Sequence, residues 1–164
     1  SNGKGINFAA MTSPADAGGM TAETLTDYEE GTWTPAIYYQ NAGDQTNSTN
    51  ITQDGNYTLI GDICHIVCRL VWNADDARAG DNIGIKNFPF TSDDTSSIAQ
   101  VFSTTVDGTS LGADDAIVVK LSSNNTTAVF LNVGGGNIEG NMGDDFGEND
   151  GMEAIVSGTY KIKR

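Results

Sequence analysis

Between Asn56 and Trp72 the chain reads NYTLIGDICHIVCRLVW, its longest strand-like run. Gly61 and Asp62 interrupt the run near its centre, and glycine at the first central position suits a two-residue type II′ hairpin turn. Pairing across that turn sets Ile60 opposite Ile63, Leu59 opposite Cys64, Thr58 opposite His65 and Tyr57 opposite Ile66. Side chains of a strand alternate between its faces. One face is then Tyr57, Leu59, Cys64, Ile66, Cys68, Leu70 and Trp72, which is wholly apolar and predicts a core. The other is Thr58, Ile60, Ile63, His65, Val67, Arg69 and Val71. It carries too much apolar surface for a freely solvated sheet. This face predicts cover by a second sheet or by neighbouring chains around a threefold axis, with His65, Val67, Arg69 and Val71 in the contact.

The same alternation recurs on both sides of this hairpin. Thr32 to Gln40 places Trp33, Ile37 and Tyr39 on one side, and Pro35 marks it as an edge strand. Ile83, Ile85, Phe88 and Phe90 gather around Pro89 as a short strand or irregular core segment. Ser97 to Val106 points Ile98, Phe102 and Val106 inward. Ala116 to Val133 predicts a second hairpin with Ile117, Val119, Leu121, Ala128 and Phe130 on one face, turning at Asn124-Asn125 through a type I′ turn. Ala154, Val156, Tyr160 and Ile162 point one way in the last strand. Polar stretches separate these runs: an acidic turn at Thr26–Gly31 and loops at Asn41–Gly55, Asn73–Asp81 and Gly134–Gly151. Short strands joined by turn signals predict an all-β, antiparallel, jelly-roll-like β-sandwich spanning residues 31–164. Residues 1–30, rich in Gly, Ala, Ser and Thr up to Leu25, read as an extended lead-in.

Composition supports this class and narrows the partners. The chain has 164 residues, a usual size for one domain. Its 20 glycines favour turns over helices. A formal net charge of −14 argues against nucleic acid and against anionic membranes, both of which need Lys and Arg. No run approaches a membrane-spanning length. Cys64 and Cys68 share a strand face about 13 Å apart, too far for a disulfide within the strand and unable to converge on zinc with His65. They read as buried thiols of a chain made in a reducing cytoplasm.

Several short motifs combine into a resemblance. Asp27–Glu30 followed by Gly31-Thr32-Trp33-Thr34-Pro35 opens the pattern. Tyr57, Leu59, Ile60 and Gly61 come next, before a long apolar strand. Asn87-Phe88-Pro89-Phe90-Thr91-Ser92 and Ser157-Gly158-Thr159-Tyr160 follow in order. With the connector-like Gly3–Phe8, they cover most of the chain, which resembles the C-terminal receptor-binding or trimerisation domain of bacteriophage tail fibre and tailspike proteins. The resemblance implies a homotrimeric, mostly β distal domain of the virion tail that binds host-surface structures. The loop at Gly134–Gly151 has no counterpart in that pattern.

Candidate chemistry is sparse. No GxSxG, HExxH or P-loop pattern occurs, and His65, the only histidine, lies mid-strand opposite Thr58. A carboxylate pair for glycan hydrolysis is compatible with the composition, since such pairs are defined by spacing in the fold. The reading is therefore a non-enzymatic adhesin, with a structural trimerisation cap and a glycan-degrading domain as alternatives. Asp144, Asp145, Glu148 and Asp150 lie in a glycine-rich loop whose carboxylates and carbonyls suit calcium, without the EF-hand spacing. Trp33 and Trp72 read as core, whereas Tyr38, out of phase with Trp33, is the candidate to stack on a sugar ring. Asp75, Asp76 and Arg78, in a polar loop, are the candidates to bind hydroxyls of a neutral or cation-bridged surface glycan.

Overall fold

The Gly61–Asp62 turn organises the structure. In the computed structural model, which describes residues 28–39, 48–74, 82–94, 99–108, 116–134, 137–139 and 151–164, Gly61 has φ of +57° and Asp62 stays at negative φ, as a type II′ turn requires. The strands in chain order are β1 Tyr28–Trp33, β2 Ala36–Tyr39, β3 Ser48–Ile60, β4 Ile63–Ala74, β5 Ile83–Lys86, β6 Gln100–Asp107, β7 Ala116–Leu121, β8 Ala128–Gly134, β9 Asn137–Glu139 and β10 Met152–Lys161. The β3–β4 register sets Ile60 opposite Ile63 and Tyr57 opposite Ile66, as the alternation predicts. No helix occurs among the described residues.

All pairings are antiparallel, in the order β1-β3-β4-β10-β6-β7-β8-β5-β2, with β9 added to β8. This single path curls into two layers at β6. Ser103–Asp107 pair with β10, whereas Gln100–Phe102 pair with β7. The first layer is β1, β3, β4, β10 and most of β6, and the second is the start of β6 with β7, β8, β5 and β2. Its two ends meet through the chain itself, since only Thr34 and Pro35 separate β1 from β2. Proline has no N–H for a ladder, so the strand breaks there and both halves become edge strands. Gln53 Nε2 donates to the Pro35 carbonyl at 2.8 Å and fixes the break against β3.

One core fills the space between the layers. Trp33, Leu59, Cys64, Ile66, Cys68, Leu70, Trp72, Val119, Leu121, Phe130, Val156 and Tyr160 are all buried in it, so both hairpins and the last strand bury the faces their alternation predicts. Phe88 is its hub. Asn87, at φ of +68°, turns the chain inward after β5, and its Nδ2 donates to the Thr34 carbonyl at 3.2 Å. The Phe88 ring then lies 5.2 Å from Trp33, 5.5 Å from Phe102 and 5.8 Å from Tyr160, the last edge-on. Three aromatic rings cover glycines on neighbouring strands: Tyr57 over Gly31, Trp33 over Gly55 and Phe102 over Gly158. Any Cβ at those glycines would collide with the rings, and the rings supply the surface that glycine lacks.

The structure departs from the sequence reading in three places. Residues 48–55, read as part of a polar loop, belong to β3, and Tyr28–Gly31, read as an acidic turn, belong to β1. Both strands sit at or next to the sheet edge, where their outward residues face solvent and need no apolar alternation. A register shift between Asn50 and Thr52 adds a further irregularity that masks the period-2 signal. In the second hairpin the register is as predicted, but the ladder stops at Leu121–Ala128 and only Asn124 takes a positive φ, 54°. The two-residue type I′ turn is replaced because the segment after Phe88 claims its backbone groups. Ser92 N–H donates to the Asn125 carbonyl at 3.0 Å, and Asn124 N–H is shared by the Ser92 and Asp93 carbonyls at 3.2 Å each. Residues 1–27, with the lead-in, lie outside the described residues.

Candidate interaction faces

The outward face of the first layer is built by the alternate residues of β3, β4 and β10. Reading across the ladders, Ile60 and Ile63 are followed by Lys161, Thr58 and His65 by Thr159, Asn56 and Val67 by Ser157, and Asp54 and Arg69 by Ile155. Val67, Ile155, Ile60 and Ile63 remain 42–48% exposed although each is apolar. His65 and Arg69 are exposed and Val71 is half-buried. The four residues predicted for a chain–chain contact therefore share one uncovered surface.

That surface also carries an ion pair. Arg69 donates through Nε and Nη2 to the two carboxylate oxygens of Glu153, at 2.9 and 3.0 Å, diagonally across β4 and β10. The guanidinium holds the Glu153 carboxyl below the usual carboxylate range through these hydrogen bonds, and the carboxylate raises Arg69 in return. Glu30, Asp54 and Asp107 stand toward the margins on β1, β3 and β6. The face is thus mixed: exposed Val67, Ile155, Ile60 and Ile63 alternate with Thr58, His65, Asn56, Ser157 and the Arg69–Glu153 pair.

The second layer also has an outward face. Tyr38 lies opposite Gly84, Gly84 opposite Val129, Val129 opposite Lys120 and Lys120 opposite Val101, giving one row across β2, β5, β8, β7 and β6. Val118 pairs with Leu131 in the next row and Ala116 with Val133 in the one after. Tyr38 is half-buried in this surface rather than freely exposed. Its phase is the one predicted, away from Trp33. The sequence reading assigned no role to this face, although AIVVKL and AVFLNV are apolar in both phases, which is the signature of strands covered on two sides.

The glycan-contact candidates Asp75, Asp76 and Arg78 and the calcium candidates Asp144, Asp145, Glu148 and Asp150 lie outside the described residues. In the sequence, residues 75–81 fall between β4 and β5. Among the described residues no group of three His, Cys, Asp or Glu side chains is placed to hold a metal ion. Asp93 and Asp94, adjacent acids in the sequence, pair instead with Lys161 at 3.0 Å and Lys163 at 2.7 Å. With the Arg164–Asp62 pair, these contacts fasten the final strand to the hairpin turn and to the segment after Phe88. Cys64 and Cys68 are free and buried, and burial pushes their thiols up to about 11 and about 12.

No protein-family model matches the chain, and a search of curated proteins gives no significant match. Among solved structures, the chain is similar to the crystal structure of Dettilon tailspike protein (gp208), with a TM-score of 0.65 at 14% identity over 83% of this chain. The chain spans 24% of the length of that tailspike. At this identity the likeness is one of fold. The antiparallel, two-layered β architecture described above is also found within a phage tailspike.

Proposed function

We propose that this chain is a distal domain of a bacteriophage tail fibre or tailspike, assembled as a homotrimer on the virion tail, and that it binds a host-surface glycan without cleaving it. The observation that carries the reading is the fold likeness to a tailspike over 83% of the chain, joined to the ordered motifs from Gly31 to Tyr160. Assembly is supported by the outward face of β3, β4 and β10, whose exposed valine and isoleucines gain by burial against another copy. Fold alone does not carry function, so the ligand side rests on chemistry. A chain of net charge −14 repels acidic polysaccharides unless a cation bridges them. Asp75, Asp76 and Arg78, with Tyr38 as a stacking residue, suit a neutral or cation-bridged glycan, and Asp144, Asp145, Glu148 and Asp150 would supply a calcium site. The test is alanine replacement of Asp75, Asp76 and Arg78 together, followed by adsorption to host cells and glycan-array binding. Loss of adsorption in a folded trimer, with no sugar product released by the wild type, supports the adhesin. Undiminished adsorption removes this loop as the receptor site.

A second reading is a structural cap that trimerises the fibre without touching the receptor. The exposed Ile60, Ile63, Val67 and Ile155 of the outward face favour it, because such side chains fit chain–chain contact better than a hydrophilic ligand. A folded, trimeric chain that binds no glycan decides for the cap.

A further inference from the structure

His65 is the only histidine of the chain. Imidazole is the side chain that ordinarily changes charge between about pH 5 and 8, so acidification over that range acts on one side chain of this molecule. Its place gives the proton a consequence. Across the first layer the row reads Glu30, Thr58, His65 and Thr159, so the ring stands between two threonines. Ile63 and Val67 flank it on the same face of β4 and Ile60 stands diagonally across on β3, each 42–48% exposed.

The charged groups around it are engaged elsewhere. Glu30, two strands away on β1, accepts from the Tyr28 hydroxyl. Asp54 lies beside Arg69 two rows off, and Glu153, opposite Asp107 in the row after, is bound to that arginine. Toward the turn, Arg164 pairs with Asp62, and Lys161 on β10 lies 3.0 Å from Asp93. β6 leaves the β10 ladder at Ser103–Ser157, before the His65 row. The charged side chain diagonal to His65 on the adjoining β10 is thus a cation, Lys161.

We propose that His65 makes assembly of this chain acid-sensitive: the face meets neighbouring copies while the imidazole is neutral, and protonation of the ring separates them. This rests on the homo-oligomeric reading above and adds what controls the contact. On a separated chain the ring is exposed and water solvates its charge. Between copies the charge is withdrawn from water beside Ile60, Ile63 and Val67, with no carboxylate of its own chain beside it. The separated chain therefore binds the proton more readily. By linkage, falling pH favours separation, by up to about tenfold in the association constant per chain for each pH unit.

Sedimentation at micromolar concentration and constant ionic strength, from pH 8 to pH 5.5, is the test, with fluorescence of the buried Trp33 and Trp72 verifying the fold at each pH. The wild type is expected to be assembled at pH 8, to separate into folded monomers by pH 5.5 and to reassemble on return. His65→Gln, which keeps a polar side chain without the titration, is expected to stay assembled throughout. A wild type equally assembled at both ends of the range would overturn the proposal. So would a His65→Gln chain that separates as the wild type does, which would move the control to the carboxylates. Should His65→Gln fail to fold or to assemble at pH 8, the wild type decides alone: the titration midpoint of its one imidazole, followed by proton NMR, is expected to fall as protein concentration rises, and a midpoint independent of concentration overturns the proposal. A wild type that is monomeric at pH 8 instead removes the oligomer reading beneath it.

Discussion

The Tyr160 hydroxyl closes a two-way hydrogen bond with the backbone of Phe90. It accepts from the Phe90 N–H at 3.1 Å and donates to the Phe90 carbonyl at 3.0 Å. The last strand thus holds the irregular segment after β5, and with it the Phe88 ring, in the core. Burial raises the Tyr160 hydroxyl well above the usual phenol range.

Tyr160→Phe keeps the ring and leaves both Phe90 backbone groups without their partner. The expected loss is about 1–3 kcal/mol, read as a lower urea midpoint with an unchanged slope. An unchanged midpoint would show that water replaces the hydroxyl at no cost.

Cys64 and Cys68 make the domain sensitive to alkali. In the unfolded chain a thiol ionises near 9, and in the fold only near about 11 and about 12. Above pH 9 the unfolded state therefore binds fewer protons, and stability falls as pH rises through the folded values. Replacing both cysteines by alanine is expected to flatten the fall in unfolding free energy between pH 9 and 11. Cys64→Ser, which puts a hydroxyl on the apolar face, is expected to cost about 1–3 kcal/mol at neutral pH. A negligible change there would contradict the placement of Cys64 in the core.

Gly158→Val tests the aromatic cover on glycine. A Cβ at position 158 would stand 2.7 Å from Phe102 Cδ1, so the ring, packed against Phe88 and Tyr160, must move. The expected destabilisation is about 1–3 kcal/mol in thermal or urea unfolding. Phe102→Leu in the same chain is expected to relieve part of it, and additivity of the two changes would argue against the contact.

The Arg69–Glu153 pair separates folding from assembly. Exposed pairs contribute little to the stability of a single chain. Glu153→Gln is therefore expected to leave the unfolding midpoint of a monomeric variant nearly unchanged. Buried between copies, the same substitution leaves a cation without its partner, and assembly is expected to weaken by about tenfold or more. Equal assembly of Glu153→Gln and wild type in sedimentation would place this pair outside the contact.

The motifs that carry the tailspike resemblance turn out to be packing devices. Gly31 lies under Tyr57, Trp33 and Phe88 meet in the core, Gly158 lies under Phe102, and Tyr160 ties down Phe90. Such residues are legible in sequence because burial and close approach leave few substitutes. Both hairpins, the prolyl break at Pro35 and the inward phase of the last strand were readable for the same reason. The polar half of β3 was not, because a strand beside the sheet edge keeps its outward positions in solvent and loses the alternation. The longer connection after Leu121 was hidden too, since its cause is the Ser92–Asp93 backbone from a distant part of the chain. The second outward face escaped because a strand apolar in both phases says that both sides are covered, not by what.

Sedimentation equilibrium of the unmodified chain at micromolar concentration tests whether the outward face bearing Ile60, Ile63, Val67 and Ile155 is buried between copies. The expected mass is that of three chains of 17.2 kDa, reduced to one chain by Val67→Glu. A stable monomer for the unmodified chain, or a trimer that Val67→Glu leaves intact, would contradict it.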